Sequence, residues 1–123
     1  MREGELVPYL YYVGMPKENR WGDFWSMGSF IKPDQWLTLT QHIRLNSNGQ
    51  RNGVYSVWVN GRLVTDRRDM LWRYGNYGQI DSFIFGTYHG GANAEWAPDW
   101  NSTADFDDVV ISRQMPAYLK NNP

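Results

Sequence analysis

Apolar and polar residues alternate along most of this chain, and period two is the mark of strands with one face buried. From Trp36 to Leu45, WLTLTQHIRL sets Leu37, Leu39, Ile43 and Leu45 on one face and Trp36, Thr38, Thr40, His42 and Arg44 on the other. Gln41 interrupts the apolar face, so it either meets a hydrogen-bond partner inside or marks where the core ends. The polar stretch NSNGQRNG follows as a loop. VYSVWVNGRLV then spells a hairpin, because Asn60-Gly61 tolerates the positive φ that both central residues of a type I′ turn require. IDSFIFGTYH from Ile80 and ADFDDVVIS from Ala104 predict two more strands, on their β-branched and aromatic content. LVPYLYYVG predicts another, which Pro8 confines to an edge or makes irregular at its start. No stretch carries a convincing helical pattern; TDRRDMLWRYG has room for one helical turn and no more. Short strands joined by Gly- and Asn-rich turns predict a single all-β domain over 1–123, an antiparallel sandwich or barrel.

Composition sharpens this picture. A chain of 123 residues supports one modest core, yet it carries seven tryptophans, eight tyrosines and five phenylalanines. Rings with a polar edge suit a surface that is apolar in body and wet at the tip, as in stacking on sugars or bases. A formal charge of -1 argues against nucleic acid, which calls for a basic stripe. The absence of cysteine excludes disulfides and thiolate metal sites. MREGELVPYL has no apolar core of signal-peptide length, and no segment is apolar and long enough to span a bilayer, so no membrane partner is expected. Asn101-Ser102-Thr103 matches the glycosylation acceptor pattern, a short motif that chance often produces.

The order WLTLTQHIRLN, NGVYSVWVNGRLVTDRRD, IDSFIFGTYHGG, WAPDW and ADFDDVVIS resembles the C-terminal half of polysaccharide lyase family fourteen, the alginate and glucuronan lyases. The resemblance runs from about Tyr9 to Ser112, with Phe106-Asp107-Asp108 where the family has Phe-Asp-Asn. It implies a β-sandwich of the jelly-roll, concanavalin-like type, with a concave sheet that binds an acidic polysaccharide in an extracellular or periplasmic setting. It also implies that the family's N-terminal half, with its catalytic lysine and an arginine, has no counterpart here. Tyr9 and Tyr11 of YLY fall where such lyases carry catalytic tyrosines.

Cleavage of a uronate chain by β-elimination needs a neutralised carboxylate, a base for the C5 proton and an acid for the leaving oxygen. Tyr9 and Tyr11, two apart in an expected strand, share a face and could flank one bond, or they are packing residues of an aromatic edge. A tyrosine near its ordinary pKa of about 10 needs cationic neighbours to act as base. His42 and Arg44 are substrate-binding candidates if their face lines the groove, and merely solvated if it does not. Trp58 lies opposite Tyr55, Val57 and Val59, as a stacking platform or a second-layer core residue; Trp72 has the same two readings. Trp21 and Trp25 lie in NRWGDFW, expected as a surface loop turning into a strand, where an exposed ring suits a glycan. Tyr88, His89 and Trp96 are further substrate-binding candidates in the loop GTYHGGANAEWAPDW, expected as a structured rim with one of its two tryptophans, Trp96 and Trp100, covering the core and the other available to a sugar.

Two histidines weigh against a His-based metal cage, and Asp105, Asp107 and Asp108 read as solvated strand-end carboxylates before they read as a calcium site. No cofactor is expected. A glycoside hydrolase would need two facing carboxylates, which Glu18, Glu95 and Asp99 do not supply. The alternatives to a lyase are a carbohydrate-binding module without turnover, and a structural protein that assembles through open sheet edges. Such edges predict a homo-oligomer.

Overall fold

In the computed structural model, which describes residues 4–119, Asn60 and Gly61 take φ values of 51° and 78°. Two consecutive left-handed residues reverse the chain with the twist a hairpin needs, and the flanking strands pair as the sequence predicts. In chain order the strands are β1 (Tyr9–Leu10), β2 (Asp23–Phe24), β3 (Leu39–Arg44), β4 (Gly53–Val59) and β5 (Arg62–Met70). β1 and β2 form one antiparallel sheet, and β3-β4-β5 form a second. Single 3-10 turns at Ala94–Trp96 and Ala117–Leu119 are the helical content of the described residues. The protein is all-β. Its described residues gather into two compact units, 4–79 with 117–119, and 80–116.

The first unit holds both sheets, packed as the layers of a sandwich around β4. Every residue of β4 is buried. Tyr55 and Val57 face the layer that carries β1 and β2, where Tyr12, Leu10, Met15, Trp25 and Met27 pack with Met70, Val64 and Trp72. Four rings meet there edge to face: Trp25 on Tyr55 at 6.0 Å, and Trp72 on Tyr12 and Tyr55 at 5.7 and 6.1 Å. Burial of side chains this large stabilises by roughly 1.5–3 kcal/mol each. The core itself therefore absorbs part of the aromatic excess, Trp25 and Trp72 included, although the sequence placed Trp25 in a surface loop. On the other face of β4, Val54 and Ser56 are buried, and Ser56 Oγ donates to Asp66 Oδ1 at 2.7 Å.

β3 is less covered than its alternation suggests. It stands at the margin of its sheet, so Leu39 and Ile43 remain half-exposed. Gln41 does find a partner, accepting at Oε1 from the Tyr55 hydroxyl at 2.8 Å. β5 replaces the helical turn expected in TDRRDM: its pairing with β4 runs to Met70 through two register shifts.

The second unit departs from expectation. Neither 80–89 nor 104–112 forms a strand, and Ile84 and Val110 are largely exposed. A strand exists through its ladder of hydrogen bonds, and these segments meet instead through rings, Phe85 edge to face on Phe106 at 4.9 Å. Asp108, at φ 53°, also breaks the second run.

Candidate functional site

Tyr9 pairs with Phe24 across β1 and β2, and the chain leaves the sheet before Tyr11. The two rings stay together all the same. Their centroids are 5.4 Å apart, edge to face, and their hydroxyl oxygens 3.0 Å apart. Both hydroxyls also reach the Trp21 carbonyl, Tyr11 at 2.8 Å. Two phenolic protons thus serve three oxygens, and the pair is anchored while more than half of each ring faces solvent, 57% and 58%. The Tyr9 hydroxyl is the chief cause that raises the Tyr11 pKa above the ordinary tyrosine value, so Tyr11 stays protonated at neutral pH. Arg20 lies over the Trp21 ring at 4.9 Å.

Tyr12, the next residue, is buried and bonded differently. Its hydroxyl donates to Asp23 Oδ2, while Asn19 Nδ2 donates to Asp23 Oδ1 at 3.0 Å. Arg67 Nη1 stands 3.6 Å from the same carboxylate. Arg67 also forks onto Asp69, at 3.1 and 3.2 Å, and covers the Trp25 ring at 5.4 Å. Desolvation first, and the bond to Asp23 second, raise the Tyr12 pKa, with Arg67 opposing. A cleft of about 700 Å³ opens beside this network, lined among others by Lys17, Arg51 and Tyr74.

The remaining candidates of the first unit do not converge on the tyrosines. His42 lies opposite Ser56, and Arg44 opposite Val54, so both project from the sheet face turned away from Tyr55 and Val57. Tyr9 and Leu10 line a crevice on the Tyr55 face, with Leu39, Gln41 and Val57. Arg44 is therefore not the cation for the tyrosine pair. His42 instead adds a minor share to the lowering of the Asp66 pKa, which the Ser56 hydroxyl dominates. Trp58 is 9% exposed, a second-layer core residue with no free ring face for a sugar. Tyr88, His89 and Trp96 belong to the second unit and are exposed there. Their loop is structured: Asn93 Oδ1 accepts from Glu95 N–H at 3.1 Å, and Trp96 lies against Gly91 so closely that a Cβ there would sit 1.9 Å from its ring. Trp96 and Trp100 are both exposed, whereas one of the two was expected to cover the core. Among the described residues no group of three His, Cys, Asp or Glu side chains could hold a metal ion.

Tyr12, Lys17, Asp23, Arg51 and Arg67 escaped the sequence reading. Tyr12 is visible only as the third tyrosine of YLYY, and Arg67 lies in a stretch without apolar alternation that has room for one helical turn.

Against known proteins, the family model described as Polysaccharide lyase 14 matches residues 14–109, a span that starts after the three tyrosines. The chain is 33% identical over 89 residues to Exolysin of Paramecium bursaria Chlorella virus 1, which covers 70% of this chain and 13% of that protein. The chain thus spans a small part of the relative's length. No solved structure matches.

Proposed function

Because the chain belongs to the polysaccharide lyase 14 family, we propose that it binds an acidic polysaccharide of alginate or glucuronan type and cleaves it by β-elimination. In that reaction a base removes the C5 proton of a uronate, the C4–O bond breaks as the C4–C5 double bond forms, and an acid protonates the leaving oxygen. Tyr9 and Tyr11 are the groups for both transfers, one as phenolate base and the other as phenol acid. The observation that carries this reading is their spacing: two exposed hydroxyls 3.0 Å apart, held on one backbone carbonyl. The polysaccharide class comes from the family; the acidic sugar is supported by the cations of the neighbouring cleft.

The raised Tyr11 pKa favours a second reading, binding without turnover, since a phenol held protonated is a poor base. Incubation with alginate, polyglucuronate and polymannuronate between about pH 5 and 10 separates the two, spanning the ordinary carboxylate-to-tyrosine range. Growth of the unsaturated-uronate absorbance supports the lyase. Retention on the polymer with no such signal leaves the binding module, and neither result removes both.

We also infer self-association. β3 has one strand neighbour among the described residues, and an open margin flanked by half-exposed Leu39 and Ile43 recruits a strand from a second copy. A monomeric mass by light scattering at micromolar concentration would count against it.

A further inference from the structure

We propose that the cleft beside Tyr12 is a binding subsite for the carboxylate-bearing ring of an acidic oligosaccharide, separate from the tyrosine pair. The inference rests on the lyase reading for the class of sugar, and on the cleft itself for the charge and shape of the ligand.

The charge is unbalanced. Lys17, Arg51 and Arg67 line the cleft against the single carboxylate of Asp23. That carboxylate is taken up by Tyr12, Asn19 and Arg67, and Arg67 is further held by Asp69. Lys17 has no ion pair within 4 Å among the described residues; Arg51 makes one long contact, Nη1 to the Gly14 carbonyl at 3.4 Å, and contributes a minor electrostatic share to the lowered Asp69 pKa without an ion pair within 4 Å. Two cations therefore face the space with donors to spare. An ammonium and a guanidinium with free N–H groups call for an anion, and a planar carboxylate suits the guanidinium fork.

The wall is built to bring Arg51 there. Gly14 donates its N–H to the Leu71 carbonyl at 2.9 Å, and a Cβ on it would lie 2.5 Å from Leu71 Cβ and 3.0 Å from Arg51 Nη1. A side chain at position 14 would push the guanidinium aside. At about 700 Å³ the cleft falls within the roughly 300–1,000 Å³ of small-ligand sites. Tyr74, on its rim, is 74% exposed and offers a ring face to the C–H face of a sugar. Cations alone would fit phosphate as well; cations beside a free aromatic ring favour a charged sugar.

The loop from Asn19 to Asp23 connects this subsite with the tyrosine pair. Its Trp21 carbonyl holds the Tyr9 and Tyr11 hydroxyls, and its Asp23 carboxylate holds Tyr12 at the cleft. A polymer seated in the cleft would run along that loop toward the pair.

The test is calorimetric titration of the 123-residue chain with a saturated tetrauronate and with its carboxyl-reduced, neutral counterpart. The expected results are binding of the charged oligomer, weakening by about tenfold in Lys17→Gln/Arg51→Gln, as loss of two charge-assisted contacts implies, and a change below about twofold in Lys32→Gln, an exposed cation outside the cleft lining. Both cations are exposed, and an unchanged near-ultraviolet circular dichroism spectrum verifies that the double variant folds. Unchanged affinity in Lys17→Gln/Arg51→Gln, equal binding of the neutral oligomer, or no binding by the parent chain each overturns the subsite. Turnover of polymer, assayed in parallel, keeps the two readings apart. Cleft-dependent binding with no turnover removes the lyase and leaves the subsite; turnover with unchanged affinity in the double variant does the reverse.

Discussion

Gly22 lies against the ring of Tyr9 so closely that a Cβ on it would stand 2.8 Å from two ring carbons and 3.1 Å from the hydroxyl oxygen. Its φ of 106° is also one that side chains with a Cβ rarely adopt. The preceding carbonyl, Trp21 O, is the one that both tyrosine hydroxyls share. Glycine here serves the turn and the spacing of the pair together.

Gly22→Ala should therefore cost about 1–3 kcal/mol in backbone strain and displace the Tyr9 ring. Elimination should fall at least about tenfold, the effect of moving a reacting group off its geometry. Gly28→Ala is the control. That residue has φ 63° but nothing within 4 Å of the added Cβ, so it should lose stability and keep its rate. Denaturant unfolding and the unsaturated-uronate assay on both variants check this.

Asn46 is the most completely used polar residue of the core. Fully buried, it accepts at Oδ1 from the N–H groups of Trp72 and Arg73, at 2.8 and 3.0 Å, and donates from Nδ2 to the Arg73 carbonyl at 3.1 Å. The link fixes the chain just past β5, where Trp72 enters the aromatic core. Asn46→Ala strands those backbone groups and should destabilise by about 2–4 kcal/mol, read from the midpoint and slope of urea unfolding.

The hairpin could be read because Asn60-Gly61 is a local signal, and Gln41 because one polar residue on an apolar face demands a partner. β5 could not be read past Thr65, since Asp66-Arg67-Arg68-Asp69 has no apolar alternation and owes its extended form to pairing with β4. The cleft was hidden for a related reason. Arg67 meets Asp23 across 44 positions of sequence, taking 23 from 67, and only the packing of two layers brings them to 3.6 Å. In 80–85 and 104–112 the strand pattern is present, but a pattern does not supply the neighbour that a ladder requires.

The buried Tyr55 hydroxyl gives stability a definite alkaline limit. Desolvation pushes its pKa up to about 12, above the ordinary value near 10. The folded chain therefore holds a proton that the unfolded chain releases. This contribution is complete below about pH 10 and is lost as pH rises from there through about 12. Tyr55→Phe should flatten that limb of the stability curve. It should also cost about 1 kcal/mol at pH 7, for the lost bond to Gln41 and the acceptor left behind. Urea unfolding at a series of pH values distinguishes the two effects, since only the first depends on pH.

The same sign governs catalysis by the tyrosine pair, with the opposite consequence. A raised Tyr11 pKa leaves little Tyr11 phenolate at neutral pH, so with Tyr11 as the base elimination sets in late. kcat/KM should climb with pH through the neutral range and still be rising near about pH 10, the ordinary tyrosine value. Tyr9→Phe removes the hydroxyl that raises the Tyr11 pKa. Any residual activity in that variant should then titrate at lower pH, whereas Tyr11→Phe removes the titrating group and should abolish the limb. Rates followed by the unsaturated-uronate absorbance from about pH 6 to 11 would show it. A plateau reached by pH 8 in the parent chain would mean that some other group takes the C5 proton, and Tyr9 and Tyr11 would keep only a binding role.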